Sequence, residues 1–239
     1  MLNQNSVKTL QNLTKAYNNT PLVEVGFTYL GEPKTIFAKY EAFNFSGSIK
    51  DRIALHILNK AYDDKQINNN TTIVEATSGN TGIAFAALGR AIGCKVKIYM
   101  PNWLSQERYA TIRLFGAEIV LVSKEEGGFL GSIAMAREFA KKNNGYCPEQ
   151  FTNPENVNAH ALFTAPEIIQ QTKNLGIKLK LINAIYFLFH SLQASSISIG
   201  LWLLIRHETV PLLKFYKSQK VTLKIFAMFL VICIACLPI

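Results

Sequence analysis

Apolar positions along the first two-thirds of the chain come in two rhythms that take turns. Short runs rich in β-branched and aromatic residues predict strands, and longer amphipathic or small-residue runs predict helices. KTIFAKYEA (34–42) reads as a strand, and DRIALHILNKAYDD (51–64) as a helix. Residues 71–76 place Ile73 and Val74 in a short buried strand, and the small apolar residues of 82–92 predict a helix packed closely on a sheet. KVKIYMP (95–101) is a strand candidate. SQERYATIRLFG (105–116) reads as a helix that opens on Ser105 as N-cap and closes on Gly116. AEIVLVS (117–123) gives another strand, followed by a helix over 130–142 and GYCPEQF at 145–151. Strands alternating with helices through short loops predict an α/β fold, a parallel sheet with flanking helices. Ligands of such sheets bind outside the carboxyl ends of the strands.

The rhythm stops near residue 173. Leu181–Ile205 has no charged residue over 25 positions, although it includes Asn183, His190 and Gln193. A basic stretch, 206–224, and an apolar run, 225–239, follow. The pattern predicts an apolar, basic, helical tail. Residues 181–205 are long enough to span a bilayer, whereas 225–239 are short of it, and a buried helix is the soluble alternative.

Charge follows the same seam. The net charge of +9 divides into +2 over residues 1–172 and +7 over 173–239. In the tail the basic residues are interleaved with bulky aliphatics and form no stripe, so nucleic acid is not an expected partner. Cys94 and Cys147 are isolated, which fits packed or free thiols in a reducing, cytoplasmic setting. Cys233 and Cys236 form a CxxC inside an apolar run without the polar surroundings of a redox or metal motif. The four histidines show no metal-ligand spacing, so no metal is expected. The first residues, MLNQNSVKTLQNLTKAY, lack the apolar core of a secretory signal.

Two stretches carry candidate chemistry. EATSGNTGIAFAALG (75–89) sets Thr77, Ser78, Gly79, Asn80, Thr81 and Gly82 between a strand and a helix. The side chains can hydrogen-bond, and Gly79 and Gly82 are expected to let the backbone turn tightly and approach a ligand. A loop feeding a helix N-terminus offers free N–H groups and the positive end of the dipole, which suit a carboxylate or phosphate. An ordinary capped turn would need only one such side chain. Upstream, NFSGSIKDR (44–52) puts Lys50 where a glycine-containing turn enters a helix. Such a lysine is usually solvated. In a pocket, the same dipole would favour the neutral, nucleophilic amine.

SGSIKDR followed 27 residues after Lys50 by TSGNTG resembles the pyridoxal phosphate enzymes of the tryptophan synthase β-type, fold type II, family. The resemblance is greatest to its cysteine synthase (O-acetylserine sulfhydrylase) branch. Thr20-Pro21-Leu22, MPNWLSQERYATIRLFGAEIVLV (100–122), EEGGFLGSIAMA (125–136), EQFTNPENVNAH (149–160) and PEI (166–168) extend it in order over about residues 15–172. The resemblance implies pyridoxal 5'-phosphate as cofactor. Lys50 would hold it covalently and act as general base, and Asn80 would bond its ring hydroxyl. Thr77, Ser78, Gly79, Thr81 and Gln150 would bind the substrate carboxylate. It also implies β-replacement of O-acetylserine with sulfide to give cysteine, in a homodimer. Cystathionine β-synthase and a diaminopropionate-type synthase are the alternatives within the class. Residues 1–44 would begin the larger cofactor domain, 45–150 form a small α/β domain with Lys50 and the TSGNTG loop, and 151–172 return to the larger one.

The chain leaves the family pattern in two places. Phe45 replaces the proline common before the lysine turn. After residue 172 the family's glycine-rich phosphate loop, roughly GxGTGGT, has no counterpart, since the only glycines after Gly131 are Gly145, Gly176 and Gly200. A second reading is therefore a truncated or frameshifted, inactive family member, associated with membrane through 181–205 and 225–239.

Overall fold

The computed structural model describes residues 2–16, 19–177, 181–185 and 231–235. The chain divides into two compact units, one formed by Met1–Leu22 and Glu41–Lys178, the other by Val23–Tyr40 and Leu179–Ile239.

The first unit is built on three parallel strands, β3 (Thr72–Ala76), β4 (Lys95–Pro101) and β5 (Glu118–Val122), in that order across the sheet. Ile73 lies opposite Val96, and Tyr99 opposite Val120. Alternation along each strand sorts the side chains into two cores. Ile73, Val96, Ile98 and Met100 join a large cluster with Ile57, Leu58, Phe85, Leu88 and Ile112. Those last five come from helices α2 (Lys50–Asp63), α3 (Asn80–Ala91) and α4 (Gln106–Leu114). Val74, Tyr99 and Val122 join a smaller cluster with Ala136 and Ala140 of helix α5 (Gly128–Lys142). A sheet buried on both faces by helices is thus the arrangement that the alternating pattern predicts. Helix α1 (Gln4–Ala16) adds Leu10 to the larger core, and helices α6 (Glu155–Ala159) and α7 (Ala165–Asn174) follow a short return from the sheet. In that return, Tyr146 bridges to β3 beside Ile73.

The second unit contains strands β1 (Leu22–Tyr29) and β2 (Glu32–Tyr40), with β6 (Leu181–Ile185) and β7 (Val231–Ala235). Its order is β1-β2-β7-β6, and β7 runs antiparallel to both neighbours. The strand expected at 34–42 therefore lies in an antiparallel sheet, apart from the parallel one. Of the tail expected to be helical, the two pieces within the described residues are strands. The remainder of 181–205 and 225–239 lies outside them, and among the described residues no helix is long and apolar enough to cross a membrane.

Local detail refines two expectations. Ser105 stands at the N-cap of α4, but its side chain makes no capping bond. Its hydroxyl instead serves the carboxylate of Glu107. Gly116 closes the same helix with φ +80°, a backbone that glycine adopts freely.

Gly82 does not open the loop to a ligand. It lies in the first turn of α3, where an added Cβ would come within 2.5 Å of Thr77 Cγ2, 3.1 Å of Ile98 Cγ2 and 3.2 Å of Ile112 Cδ1. Its role is close helix-to-sheet packing. Gly82→Ala should lower stability by about 1–3 kcal/mol through overpacking, read by urea denaturation. A gain of about 1 kcal/mol, as helix propensity alone would give, would contradict this role.

Candidate active site

The TSGNTG loop leaves the carboxyl end of β3 and enters α3. Thr77 N still donates to Tyr99 O at 3.1 Å, which carries the ladder one residue past the strand. Thr77 Oγ1 accepts from Gly79 N at 3.1 Å and folds the turn. Thr77, Gly79 and Thr81 are buried, whereas Ser78 and Asn80 are exposed. No side chain caps α3, whose N-cap is Gly79.

Gln150 reaches this loop from the segment before α6 and is buried. Its Oε1 accepts from Thr81 Oγ1 at 2.7 Å, and its Nε2 donates to Ala76 O at 3.1 Å. One amide thus ties together both ends of the loop. Beneath it, the Glu75 carboxylate accepts from Ala76 N at 2.9 Å and from Gln150 N at 3.3 Å. Burial pushes the Glu75 carboxyl up to about 8.

Lys50 is the first residue of α2, which packs on α3. The turn before it is held by side chains rather than by repeated structure. Asn44 Nδ2 donates to Glu41 O and Ser48 O, both at 3.0 Å. Asp51 accepts from Ser46 N at 2.6 Å and from the Ser46 hydroxyl. Burial lifts the Asp51 carboxyl to about 6, against the lowering effect of those bonds. Lys50 N donates to Ser48 Oγ at 3.2 Å.

Arg52 anchors this turn to distant segments. Its Nε donates to Glu41 Oε2 at 2.6 Å, and its Nη1 to Glu167 Oε2 at 2.8 Å. Nη2 donates to Thr20 Oγ1 and Glu41 Oε1, both at 2.9 Å. The Arg52 and Glu41 side chains are 2% and 0% exposed, so both charges depend on this pairing. Hydrogen bonds to Glu167 and Glu41 hold the guanidinium above its ordinary range despite burial.

His160 opens a π-helical turn, His160–Thr164, and its Nδ1 lies 3.0 Å from Thr164 Oγ1. Burial, then the charges of Lys50 and Arg52, push its imidazole down to about 4, so it is neutral at pH 7. Among the described residues no group of His, Cys, Asp and Glu could hold a metal ion. Sequence reasoning gave no role to Glu75, Arg52, Glu41, Glu167 or His160. All five lie within KTIFAKYEA, NFSGSIKDR, EATSGNTGIAFAALG, EQFTNPENVNAH or PEI, where the local pattern does not tell their contacts.

Residues 13–213 match the family described as pyridoxal-phosphate dependent enzyme. The chain belongs to that family. It is 40% identical over 163 residues to cysteine synthase B of Escherichia coli (strain K12), covering 68% of this chain and 54% of the relative. A hydrogen sulfide-producing enzyme from Fusobacterium nucleatum superposes with TM-score 0.69 at 49% identity, covering 72% of this chain and 52% of that one. The O-acetylserine dependent cystathionine beta-synthase from Helicobacter pylori superposes with TM-score 0.59 at 34% identity, over 66% of this chain and 53% of that one. The chain therefore spans about half the length of the relatives it matches. The family's cofactor is pyridoxal phosphate, and the residues present fit its reactive side: an amine at a helix start, an exposed Asn80 and a loop rich in donors. The sequence offers no glycine-rich loop for its phosphate.

Two outcomes check this geometry. Glu41→Ala leaves Arg52 half compensated and should cost about 3–5 kcal/mol in chemical denaturation. For Glu75 the folded carboxyl, near 8, holds its proton more tightly than the unfolded one, near 4.5. Its contribution is therefore most favourable below 4.5 and is lost as pH rises through 8. Glu75→Gln should remove that downward slope from the stability–pH curve, and an unchanged slope would contradict the assignment.

Proposed function

We propose that this chain carries the substrate side of a cysteine synthase-like β-replacing enzyme, which exchanges the acetate of O-acetylserine for sulfide and yields cysteine. The observation that carries the reading is the Gln150 tie across the TSGNTG loop, set on a helix N-terminus beside the helix that begins with Lys50. Thr77, Ser78, Gly79, Thr81 and Gln150 would bind the amino-acid carboxylate. Backbone N–H groups and the α3 dipole favour a negative charge there. Asn80, exposed at the start of α3, would hydrogen-bond the cofactor ring, and Lys50 would hold the cofactor covalently.

When bound, pyridoxal phosphate supplies an electron sink for the negative charge left on the substrate's α-carbon. Lys50 Nζ, released when the substrate's amine displaces it, would take the α-proton, acetate would leave the β-carbon with the bonding pair, and sulfide would form the new C–S bond there. The ammonium of Lys50 would then return the proton to the α-carbon. His160, neutral and half-buried near Lys50, would leave the lysine as the group that moves protons. The relatives leave the nucleophile open, and homocysteine in place of sulfide would give cystathionine.

One sequence feature favours a second reading. Without the GxGTGGT loop, a phosphate would lose several charge-assisted N–H bonds, each worth about 1.5–3 kcal/mol, and the chain would be an inactive family member. The visible spectrum of the protein with pyridoxal phosphate, beside Lys50→Ala, separates the two. A Lys50-dependent band that shifts on adding O-acetylserine is the expected result. A spectrum equal to that of the variant would overturn the enzyme reading.

A further inference from the structure

Glu75 is a puzzle if it is only core. It is 2% exposed, near the carboxyl end of β3, and no lysine or arginine pairs with it among the described residues. Charged and titratable groups face it from two elements. From the segment before α6 come Tyr146, Cys147 and Glu149, and from α5 comes Arg137. Arg137 is committed to Glu149 at 2.7 Å. Burial pushes the Tyr146 hydroxyl and the Cys147 thiol each up to about 12, so both are neutral.

A carboxylate buried without a cation costs several kcal/mol, and a glutamine of the same shape would avoid that cost. What glutamine cannot do is present two acceptor oxygens. Glu75 uses both: one on Ala76 N, where the substrate loop begins, the other on Gln150 N. Gln150 then returns two bonds to the loop, from Nε2 to Ala76 O and from Thr81 Oγ1 to Oε1. The result is a closed ring of hydrogen bonds in which the backbone of Gln150 is fixed from β3 and its side chain fixes the loop.

We propose that Glu75 is a positioning residue that sets the carboxylate-binding geometry by holding the Gln150 backbone and the start of the TSGNTG loop on one buried carboxylate. The inference rests on the proposed function for its consequence, substrate affinity, but not for the hydrogen-bond ring itself. A proton on either oxygen makes it a hydroxyl, a donor and a weaker acceptor, so the ring tightens as the carboxyl ionises. Amino-acid binding should strengthen accordingly as pH rises.

The test has a part that needs no cofactor. In amide NMR spectra of the full chain, the backbone resonances of Ala76 and Gln150 should titrate together through about pH 8. In Glu75→Gln that titration should vanish and the side-chain amide of Gln150 should shift. Ala76 and Gln150 signals that ignore pH in the unsubstituted protein would overturn the proposal, even if the variant fails to fold. With pyridoxal phosphate bound, L-alanine, an amino acid with no β leaving group, serves as the probe. The midpoint of its spectral titration should rise about tenfold in Glu75→Gln. Adding Glu75→Gln to Gln150→Ala should weaken binding no further, and additive losses would sink the idea that Glu75 acts through Gln150. A missing Lys50-dependent band would count against the proposed function, and the NMR result would still decide the role of Glu75.

Discussion

A guanidinium taken out of water must find acceptors for its N–H groups and a counter-charge for its cation, and Arg52 finds both in one place. Glu41, Glu167 and Thr20 surround it, each from a different stretch of chain. Their arrangement fixes where Lys50 begins α2. The two residues share the helix start, so Lys50 inherits its position from the anchor of Arg52. Loss of one carboxylate leaves a buried cation short of charge, which is why such a pair is costly to break even where it adds little net stability.

The second half of the site is held by a different kind of force. The TSGNTG loop has little apolar contact of its own, and its shape comes from neutral hydrogen bonds through Gln150 and from the dense packing under Gly82. The first turn of α3 can sit low on the sheet only because position 82 carries no side chain. That closeness brings the helix N-terminus down to the end of β3, where the dipole and the loop donors converge. The anchor of Arg52 is ionic and long-range. The loop is held by hydrogen bonds to Gln150, far along the chain, and by the packing under Gly82.

This difference explains what the sequence made legible. Periodicity located α2, β3, α3, β4 and β5 to within a residue or two, because each carries its own apolar rhythm. The loop and Lys50 stood out as polar interruptions at helix starts. The Arg52–Glu167 pair spans 115 residues, and nothing in a local window couples two such positions. Glu75 was hidden for the opposite reason: a glutamate inside an apolar strand carries no local sign of which N–H groups its oxygens accept. Gly82 reads as a loop glycine because loop glycines and packing glycines look alike in sequence, and only the neighbouring Thr77, Ile98 and Ile112 side chains distinguish them. The strand near residue 34 was foreseen, but its antiparallel partner β7 comes from the far end of the chain.

The 115-residue separation within the Arg52 cluster also bears on how the protein is made. On a ribosome adding about 5–20 residues per second, Arg52 and Glu41 emerge roughly ten seconds before Glu167. Over that interval the nascent chain holds an arginine with one carboxylate in place and the other still unmade. Water must remain around the guanidinium until then, so the entry to α2 stays hydrated and unsettled. Ordering of the lysine turn is thereby deferred until the α7 segment has been synthesised, and the start of α2 at Lys50 is among the last parts of this unit to be set.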